Sequence, residues 1–174
     1  MNLADKIRSV PDFPKKGIIF KNITTLLNDG PALAESIRLL KERFAGLEVD
    51  MVVGIESRGF IFGGILAHDW GIGFVPVRKP GKLPYKTIRE SYALEYGSDS
   101  LEMHVDALKP GQKVLIIDDL LATGGAVAAT ARLVESAGAQ VVGAGFLIEL
   151  DFLHGRDKLS GYRIESLIHV LDEK

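Results

Sequence analysis

The chain has 174 residues, of which 47% are hydrophobic and 25% are charged, a balance typical of one globular domain with a proper core. Its formal net charge of −2 gives no electrostatic support for binding the backbone of nucleic acids. It contains no cysteine, which excludes disulfide bonds, thiolate metal sites and a cysteine nucleophile. Residues 1–10 lack a signal-peptide core and no apolar run of about 18 residues is present, so we expect a cytoplasmic protein without a membrane span.

The N-terminal part of the chain predicts short elements followed by a helix. Residues 4–10 are expected to form a short helix that ends before Pro11, and the apolar run 17–20 fits a strand or a loop equally well. Residues 28–31, Asn-Asp-Gly-Pro, combine a capping side chain with a proline near the first turn, which indicates the start of a helix. Its apolar face consists of Leu33, Ile37, Leu40 and Phe44 at helical spacing.

From residue 51 onward, apolar segments of strand length alternate with helices. The predicted strands are residues 51–55, 73–77, 114–117, 141–148 and 164–170, and the predicted helices are residues 59–70 and 125–136. A basic loop at 78–90 interrupts this order, and residues 91–95 and 101–105 read as an irregular hairpin. The alternation predicts an α/β fold with a largely parallel central sheet flanked by helices, and ligands at the carboxyl ends of its strands.

The most informative segment is residues 114–126. Four aliphatic residues run into Asp118 and Asp119, and Thr123, Gly124 and Gly125 precede a helix. A strand end with a helix cap explains one aspartate but leaves the second as repulsive charge beside it. Each glycine at a helix start costs about 1 kcal/mol relative to alanine, so we interpret the pair as a close approach of the backbone to a ligand.

A phosphate monoester fits this position. Free N–H groups at a helix N-terminus form an anion site, to which Thr123 adds a hydroxyl donor. The Gly-Lys-Ser/Thr ending of a Walker A loop is missing, so a nucleoside triphosphate fits less well. Asp118 and Asp119 are suited to accept the paired hydroxyls of a ribose. The segment therefore predicts a site for ribose 5-phosphate.

This order of strand, Asp-Asp, two-residue spacer and Ala-Thr-Gly-Gly resembles the 5-phosphoribosyl 1-pyrophosphate (PRPP) signature of the type I phosphoribosyltransferases. Residues 17–23, 56–60, 77–84 and 91–97 are similar, in the same order, to segments of the adenine-specific branch, so the resemblance covers nearly the whole chain. Lys21-Asn22 stands where that branch often has Arg-Asp. The resemblance implies a single domain over residues 1–174, with residues 1–30 as a small hood over the base site and a flexible catalytic loop.

The implied reaction is a purine-salvage step that joins adenine to PRPP and yields AMP and pyrophosphate. By resemblance, Asp118 and Asp119 hold the ribose hydroxyls. The 5-phosphate is implied to contact Ala122, Thr123, Gly124, Gly125 and Ala126. The pyrophosphate is implied to contact Arg58, Gly59, Arg78, Lys79 and Lys82, in part across the subunit boundary of a homodimer. Mg²⁺ is implied to bind mainly through oxygens of PRPP or pyrophosphate, with no direct protein ligand.

The resemblance also implies residues for the base. Glu95 corresponds to the general acid/base at the purine, with Tyr96 beside it on the catalytic loop. Adenine is implied to stack between Phe20 and Leu120, and its edge to be read by backbone groups near Ile19 and Lys21. A cis peptide between the residues that match Glu56 and Ser57 is common in this branch.

Each of these assignments has a structural alternative. Arg58 fits a surface ion pair with Glu56, Glu95 a solvent-facing strand position, and Phe20 and Leu120 the core. Lys86 and Arg89 are expected to be solvated surface residues. The histidines His68, His104, His154 and His169 show no metal-ligand spacing.

Two other functions stay open at this point. One is a transferase of the same type for hypoxanthine or xanthine, against which Phe20 and the Glu95–Tyr96 pair favour adenine. The other is a non-catalytic PRPP-binding regulator that binds nucleic acid. The balance of 21 Lys+Arg against 23 Asp+Glu and the lack of a spare domain argue against the regulator. We therefore expect adenine and PRPP as substrates, and neither nucleic acid nor membrane as a partner.

Overall fold

The structure is a computed structural model that describes residues 1–173. Within these residues the strands are β1 (Arg8–Pro11), β2 (Ile19–Asn22), β3 (Met51–Ile55), β4 (Gly73–Val77), β5 (Thr87–Ala93), β6 (Ser98–His104), β7 (Lys113–Leu121), β8 (Gln140–Leu150) and β9 (Ile164–Val170). The α-helices are α1 (Thr24–Leu27), α2 (Gly30–Arg43), α3 (Gly59–Trp70) and α4 (Gly125–Ser136). Short 3-10 helices are Leu3–Lys6, Asp151–Leu153 and Gly155–Leu159.

A five-stranded sheet in the order β4-β3-β7-β8-β9 forms the centre of the fold, and its pairings are parallel. Strand β7 is apolar on both faces because both faces are covered. Val114 and Ile116 pack into a cluster with residues of α4, whereas Leu115 and Ile117 pack into a second cluster with α2 and α3. The predicted largely parallel sheet with flanking helices is confirmed.

Local signals placed the main helices well. Helix α2 begins at Gly30, where the Asp29 carboxylate accepts a hydrogen bond from the N–H of Ala32 at 3.1 Å. Helices α3 and α4 have the predicted bounds. The chain leaves α4 through Gly138, whose φ of +82° is the left-handed conformation that glycine adopts at no steric cost.

The N-terminal prediction was wrong. Residues 4–10 do not form one helix, because a 3-10 turn at Leu3–Lys6 is followed by β1. Strand β1 pairs antiparallel with β2, and this pairing also makes a strand of the apolar run near residue 20. The backbone of β1 is satisfied by pairing with β2, a partner outside residues 4–10 that the periodicity of those residues does not reveal.

The other boundaries shifted without a change of element type. The predicted hairpin is formed by β5 and β6, so residues 87–90 belong to a strand rather than to the basic loop. Strand β7 continues past Ile117 to Leu121, and Asp118 pairs in register with Phe146 of β8. The acid pair is therefore held inside the sheet, at its carboxyl edge.

That edge positions the candidate site. Strands β3, β4, β7 and β8 end at Ile55, Val77, Leu121 and Leu150, and parallel strands bring these ends to one side of the sheet. The segments that follow carry the residues singled out from the sequence. Among the residues described, no helix has both the length and the apolar character of a membrane span.

Candidate active site

An arginine joins the acid pair at the end of β7. The Arg58 Nε donates a hydrogen bond to the Asp119 carboxylate at 2.6 Å, and Asp119 is only 7% exposed. The neighbouring Asp118 carboxylate accepts the backbone N–H of Asp119 at 2.8 Å. The alternative in which Arg58 pairs with Glu56 is therefore not what the structure contains. Instead, Arg58 links the start of α3 to the acid pair.

Gly59 allows this close approach of α3. A Cβ at position 59 would lie 2.9 Å from the carbonyl oxygen of Ile117 and 3.1 Å from the Asp118 Cα. Such separations are tighter than ordinary packing, so a side chain there would push α3 away from β7. Gly59 thus keeps the first turn of α3 against the acid pair.

The electrostatics of the acid pair are unfavourable in the free protein. The pKa of Asp118 is raised well above its usual value, chiefly because burial disfavours the charged carboxylate and further because the Asp119 charge lies beside it. The Arg58 guanidinium offsets part of this effect. The hydrogen bond to Asp119 in turn raises the pKa of Arg58. The site therefore has an excess of acidic groups, with two carboxyl groups beside one guanidinium, and ionisation of Asp118 is costly.

This excess predicts a gain in stability when Asp118 is neutralised. Above the usual aspartate pKa of about 3.9, the folded state binds protons more strongly than the unfolded state, so stability falls as the pH rises through the raised pKa. Asp118→Asn should remove this penalty and raise the Tm of the ligand-free protein at neutral pH. The Tm should rise by about 2–4 °C for each kcal/mol that the substitution adds to the free energy of unfolding. Asp119→Asn is the matched comparison. It removes the negative charge that accepts the Arg58 hydrogen bond, so it should lower the Tm. A lower Tm for Asp118→Asn in a thermal melt would contradict the electrostatic picture.

The loop after β7 presents a helix N-terminus. Helix α4 begins at Gly125, and its N-cap is Gly124 with a φ of +87°. Because Gly124 has no side chain to cap the helix, the N–H groups of the first turn stay available to an anion. Thr123 of the same loop lines the cavity described below.

Both glycines of this loop also have a packing reason. A Cβ on Gly124 would lie well inside 3.0 Å of the Gly155 carbonyl oxygen, a separation at which Cβ contacts essentially do not occur. A Cβ on Gly125 would lie 2.8 Å from the Tyr92 ring. Neither contact was predicted from the sequence, where close approach of a ligand was the explanation offered. Close packing against the Gly155 backbone and the Tyr92 ring therefore explains both glycines without a ligand, and their contact with a phosphate stays a prediction.

The basic loop is tied to the loop after β3. The carboxylate of Glu56 accepts the backbone N–H of Lys79 at 2.6 Å and lies 3.4 Å from the Arg78 Nε. The Lys79 ammonium forms an ion pair with Asp99. Lys82 is exposed, and the Glu56–Ser57 peptide bond is cis. Arg78 and Lys79 thus lie close to the segment that carries Arg58.

Glu102 of β6 organises this loop, although nothing in the sequence pattern singled it out. It is 7% exposed, and its carboxylate accepts the Gly81 N–H at 3.0 Å, the Thr87 hydroxyl at 3.2 Å and the Arg89 Nη2 at 3.1 Å. These contacts, led by the Gly81 N–H, lower the pKa of Glu102. Arg89, expected as a free surface residue, is exposed but anchored to this buried carboxylate.

A cavity of about 420 Å³ opens beside the loop that joins β7 to α4. Four predicted site residues line it, namely Ile19, Lys21, Glu95 and Thr123. The other lining residues are Gly17, Ile18, Leu150, Phe152, Leu153, Val170, Asp172 and Glu173. The structure thus brings strand β2, the β5–β6 hairpin and the loop after β7 around one space.

Phe20 and Leu120 lie outside the lining of this cavity. The Phe20 ring packs edge-on against Phe13, with ring centroids 5.2 Å apart. Leu120 packs against the apolar cluster that contains Leu115 and Ile117. Tyr96 is 84% exposed at the tip of the hairpin. These three side chains therefore do not line the cavity in this structure.

Phe152 and Leu153 were missed because β8 was predicted to end too early. The strand runs to Leu150 rather than residue 148, and the 3-10 turn that follows it enters the cavity. The rule that ligands lie at the carboxyl ends of parallel strands, applied to the true end of β8, would have found them.

Comparison with known proteins defines the class first. A family model described as phosphoribosyl transferase domain matches residues 22–168, so the chain belongs to the phosphoribosyltransferase class. The chain is 59% identical over 168 residues to the adenine phosphoribosyltransferase of Clostridium perfringens, covering 97% of this chain and 98% of the relative.

Solved structures narrow the class. The adenine phosphoribosyltransferase of Thermoanaerobacter pseudethanolicus superposes with a TM-score of 0.94 at 55% identity, covering 97% of this chain and 98% of that one. The Saccharomyces cerevisiae enzyme, solved with adenine and an imino-altritol bisphosphate, has a TM-score of 0.87 at 41% identity, covering 95% and 96%. The chain belongs to the adenine phosphoribosyltransferase family.

Proposed function

We propose that this chain transfers the phosphoribosyl group of PRPP to adenine and releases AMP and pyrophosphate. The observation that carries the proposal is the carboxyl edge of β7, where the Asp118–Asp119 pair with Arg58 leads directly into the uncapped N-terminus of α4. A cavity that includes Glu95 lies alongside. Family membership supports adenine as the base, since relatives up to 59% identical carry that activity in their names.

The cost of ionising Asp118 beside Asp119 suits this reaction. As pyrophosphate leaves, C1 of the ribose becomes oxocarbenium-like, and the sugar ring acquires positive charge. Asp118 is costly as an anion in the free protein, so a cation beside it relieves a penalty that the ground state bears. Stabilisation that appears only as charge develops lowers the barrier rather than merely tightening substrate binding.

We propose that Arg58 exchanges partners when PRPP binds. In the free protein it holds Asp119, and ribose hydroxyls would take its place as donors to that carboxylate. Arg58 then joins Arg78, Lys79 and Lys82 around the pyrophosphate. Lys79 makes a similar exchange, because its ion pair with Asp99 of the hairpin has to open. The 5-phosphate is held by residues 122–126 at the start of α4.

The acidic residues near the site bear on the Mg²⁺ that we expect. Within residues 1–173, Glu149, Asp151 and His169 place ligand atoms within 4.8 Å of one another. They do not fit a Mg²⁺ site, because Glu149 already accepts hydrogen bonds from Arg156 at 2.8 Å and Ser166 at 2.7 Å. We propose that Mg²⁺ instead arrives on the oxygens of PRPP, where it neutralises charge on the leaving group.

At the base, Glu95 is proposed to take the proton that adenine loses as N9 attacks C1. Its place in the cavity wall, together with Ile19 and Lys21, supports this role. We propose that the base stacks between Phe20 and Leu120 in the complex, which requires the Phe20 ring to turn from Phe13. A cytoplasmic homodimer with a single domain and an N-terminal hood completes the proposal.

The direct test is pyrophosphate release with Mg²⁺ and PRPP, measured in parallel with adenine, hypoxanthine, guanine and xanthine. Release with adenine, and only background with the other bases or without PRPP, is the expected result. Release with another base would keep the phosphoribosyl site and overturn the assignment of the base. Measurable PRPP binding with no release for any base would favour the regulator.

A further inference from the structure

The segment after β8 contacts both halves of the candidate site. Its 3-10 turn, Asp151–Leu153, contributes Phe152 and Leu153 to the cavity wall. Close behind them, Gly155 is buried and packs against the backbone of residues 122–124. One short stretch of chain therefore lies between the proposed base site and the proposed phosphate loop.

The packing at Gly155 is backbone against backbone. A Cβ on Gly155 would lie well inside 3.0 Å of the Ala122 carbonyl oxygen and 3.0 Å from the Leu121 Cδ1. A Cβ on Gly124 would meet the Gly155 carbonyl oxygen in the same way from the other side. Gly155 has no left-handed φ, whereas Gly124 does. The requirement at position 155 is therefore space alone, and any side chain there has to displace the loop.

An ion pair between the exposed Arg156 and the buried Glu149 anchors the segment to the sheet. The Arg156 Nε donates to both carboxylate oxygens of Glu149, at 3.0 and 2.8 Å, and Glu149 is 5% exposed. The Ser166 hydroxyl donates to the same carboxylate at 2.7 Å. Because β8 and β9 hold Glu149 and Ser166, position 155 is fixed relative to the sheet and provides a firm support for the loop.

We propose that Gly155 is a positioning residue for the 5-phosphate of the substrate. By supporting the Ala122 carbonyl and the left-handed Gly124, it directs the first N–H groups of α4 at one point, where a phosphate binds. The proposal rests on the proposed function. It means that the segment that lines the cavity through Phe152 and Leu153 also positions the phosphate site through Gly155. A displacement of about 1 Å at such a site is enough to cost about 100-fold.

The test is Gly155→Ala, with ribose 5-phosphate as the probe in titration calorimetry. The Kd of ribose 5-phosphate and the KM of PRPP should each rise at least about tenfold, while the KM of adenine stays near its wild-type value. Gly30→Ala is the matched control, because it adds the same methyl group where nothing lies within 4 Å. A purely structural role would reduce the active fraction, and hence kcat, with Kd and KM unchanged.

A thermal melt establishes that the variant is folded, and Arg156→Gln gives a second route should Gly155→Ala fail to fold. That variant keeps Gly155 but weakens its anchor, and it should also raise the Kd of ribose 5-phosphate. Wild-type affinity in either folded variant would overturn the proposal, as would an equal loss in Gly30→Ala. A third outcome separates the two proposals. If the wild-type protein binds ribose 5-phosphate and Gly155→Ala weakens that binding, but no base is turned over, the proposed function is wrong and the role of Gly155 stands.

Discussion

Replacing both Asp118 and Asp119 by asparagine should lower kcat for AMP formation by at least about 100-fold to 1,000-fold, with the fold retained. Asparagine keeps the shape of each side chain and can still accept a hydrogen bond from a ribose hydroxyl. What it lacks is the negative charge that favours a cationic ribose ring. The loss should therefore appear mainly in kcat rather than in the KM of PRPP.

The measurement is steady-state kinetics beside a thermal melt. The double variant should stay folded, because the gain expected at Asp118 opposes the loss at Asp119, which surrenders its charged bond with Arg58. An Asp5→Asn and Asp106→Asn double variant makes the same chemical change at exposed positions outside the candidate site. Near-normal kcat in the folded Asp118/Asp119 variant would remove the ribose assignment.

Glu95→Gln is the second change with a large expected effect, a fall of about 100-fold to 10,000-fold in kcat with adenine, the range typical of a lost general acid or base. Glutamine retains the size of the side chain but cannot accept the proton that leaves the base. The KM of PRPP should change little, because the proposed role of Glu95 is proton transfer at the base and not contact with the phosphoribosyl group.

The control for Glu95 is Glu173→Gln, since Glu173 is another exposed carboxylate in the wall of the same cavity. Its kcat should stay near the wild-type value. Equal losses of kcat and of PRPP binding in Glu95→Gln would indicate a structural role. Equal effects in the two variants would reduce the role of Glu95 to the general charge of the cavity.

Several parts of the fold followed from local chemistry. The bounds of α3 and α4 were predictable because apolar spacing, glycines and caps act within a few residues of one another. The parallel sheet followed from the alternation of strands and helices. The N-terminal turn and β1 did not follow, because their structure depends on pairing with β2 rather than on their own pattern.

The residues of the candidate site also divide into those that local sequence predicted and those that it did not. Asp118, Asp119, Gly124 and Gly125 were predicted as site residues from the sequence, since they are nearly contiguous and follow a strand whose carboxyl end predicts ligand binding. The base residues were proposed by resemblance, and Phe20 illustrates its limit: the free protein packs this ring on Phe13. Where adenine stacks is still a prediction.

The sequence by itself thus determined the class of fold, the position of the acid pair and the glycine loop after one strand, and the resemblance that indicated the family. Only the tertiary structure decided the partners: Arg58 on Asp119, which are 61 residues apart, Glu102 within the basic loop, and Gly155 against Ala122. The reason is physical. Capping and periodicity are interactions between neighbours in the chain, whereas the charge balance and close packing of a site depend on groups that meet only when the sheet has assembled.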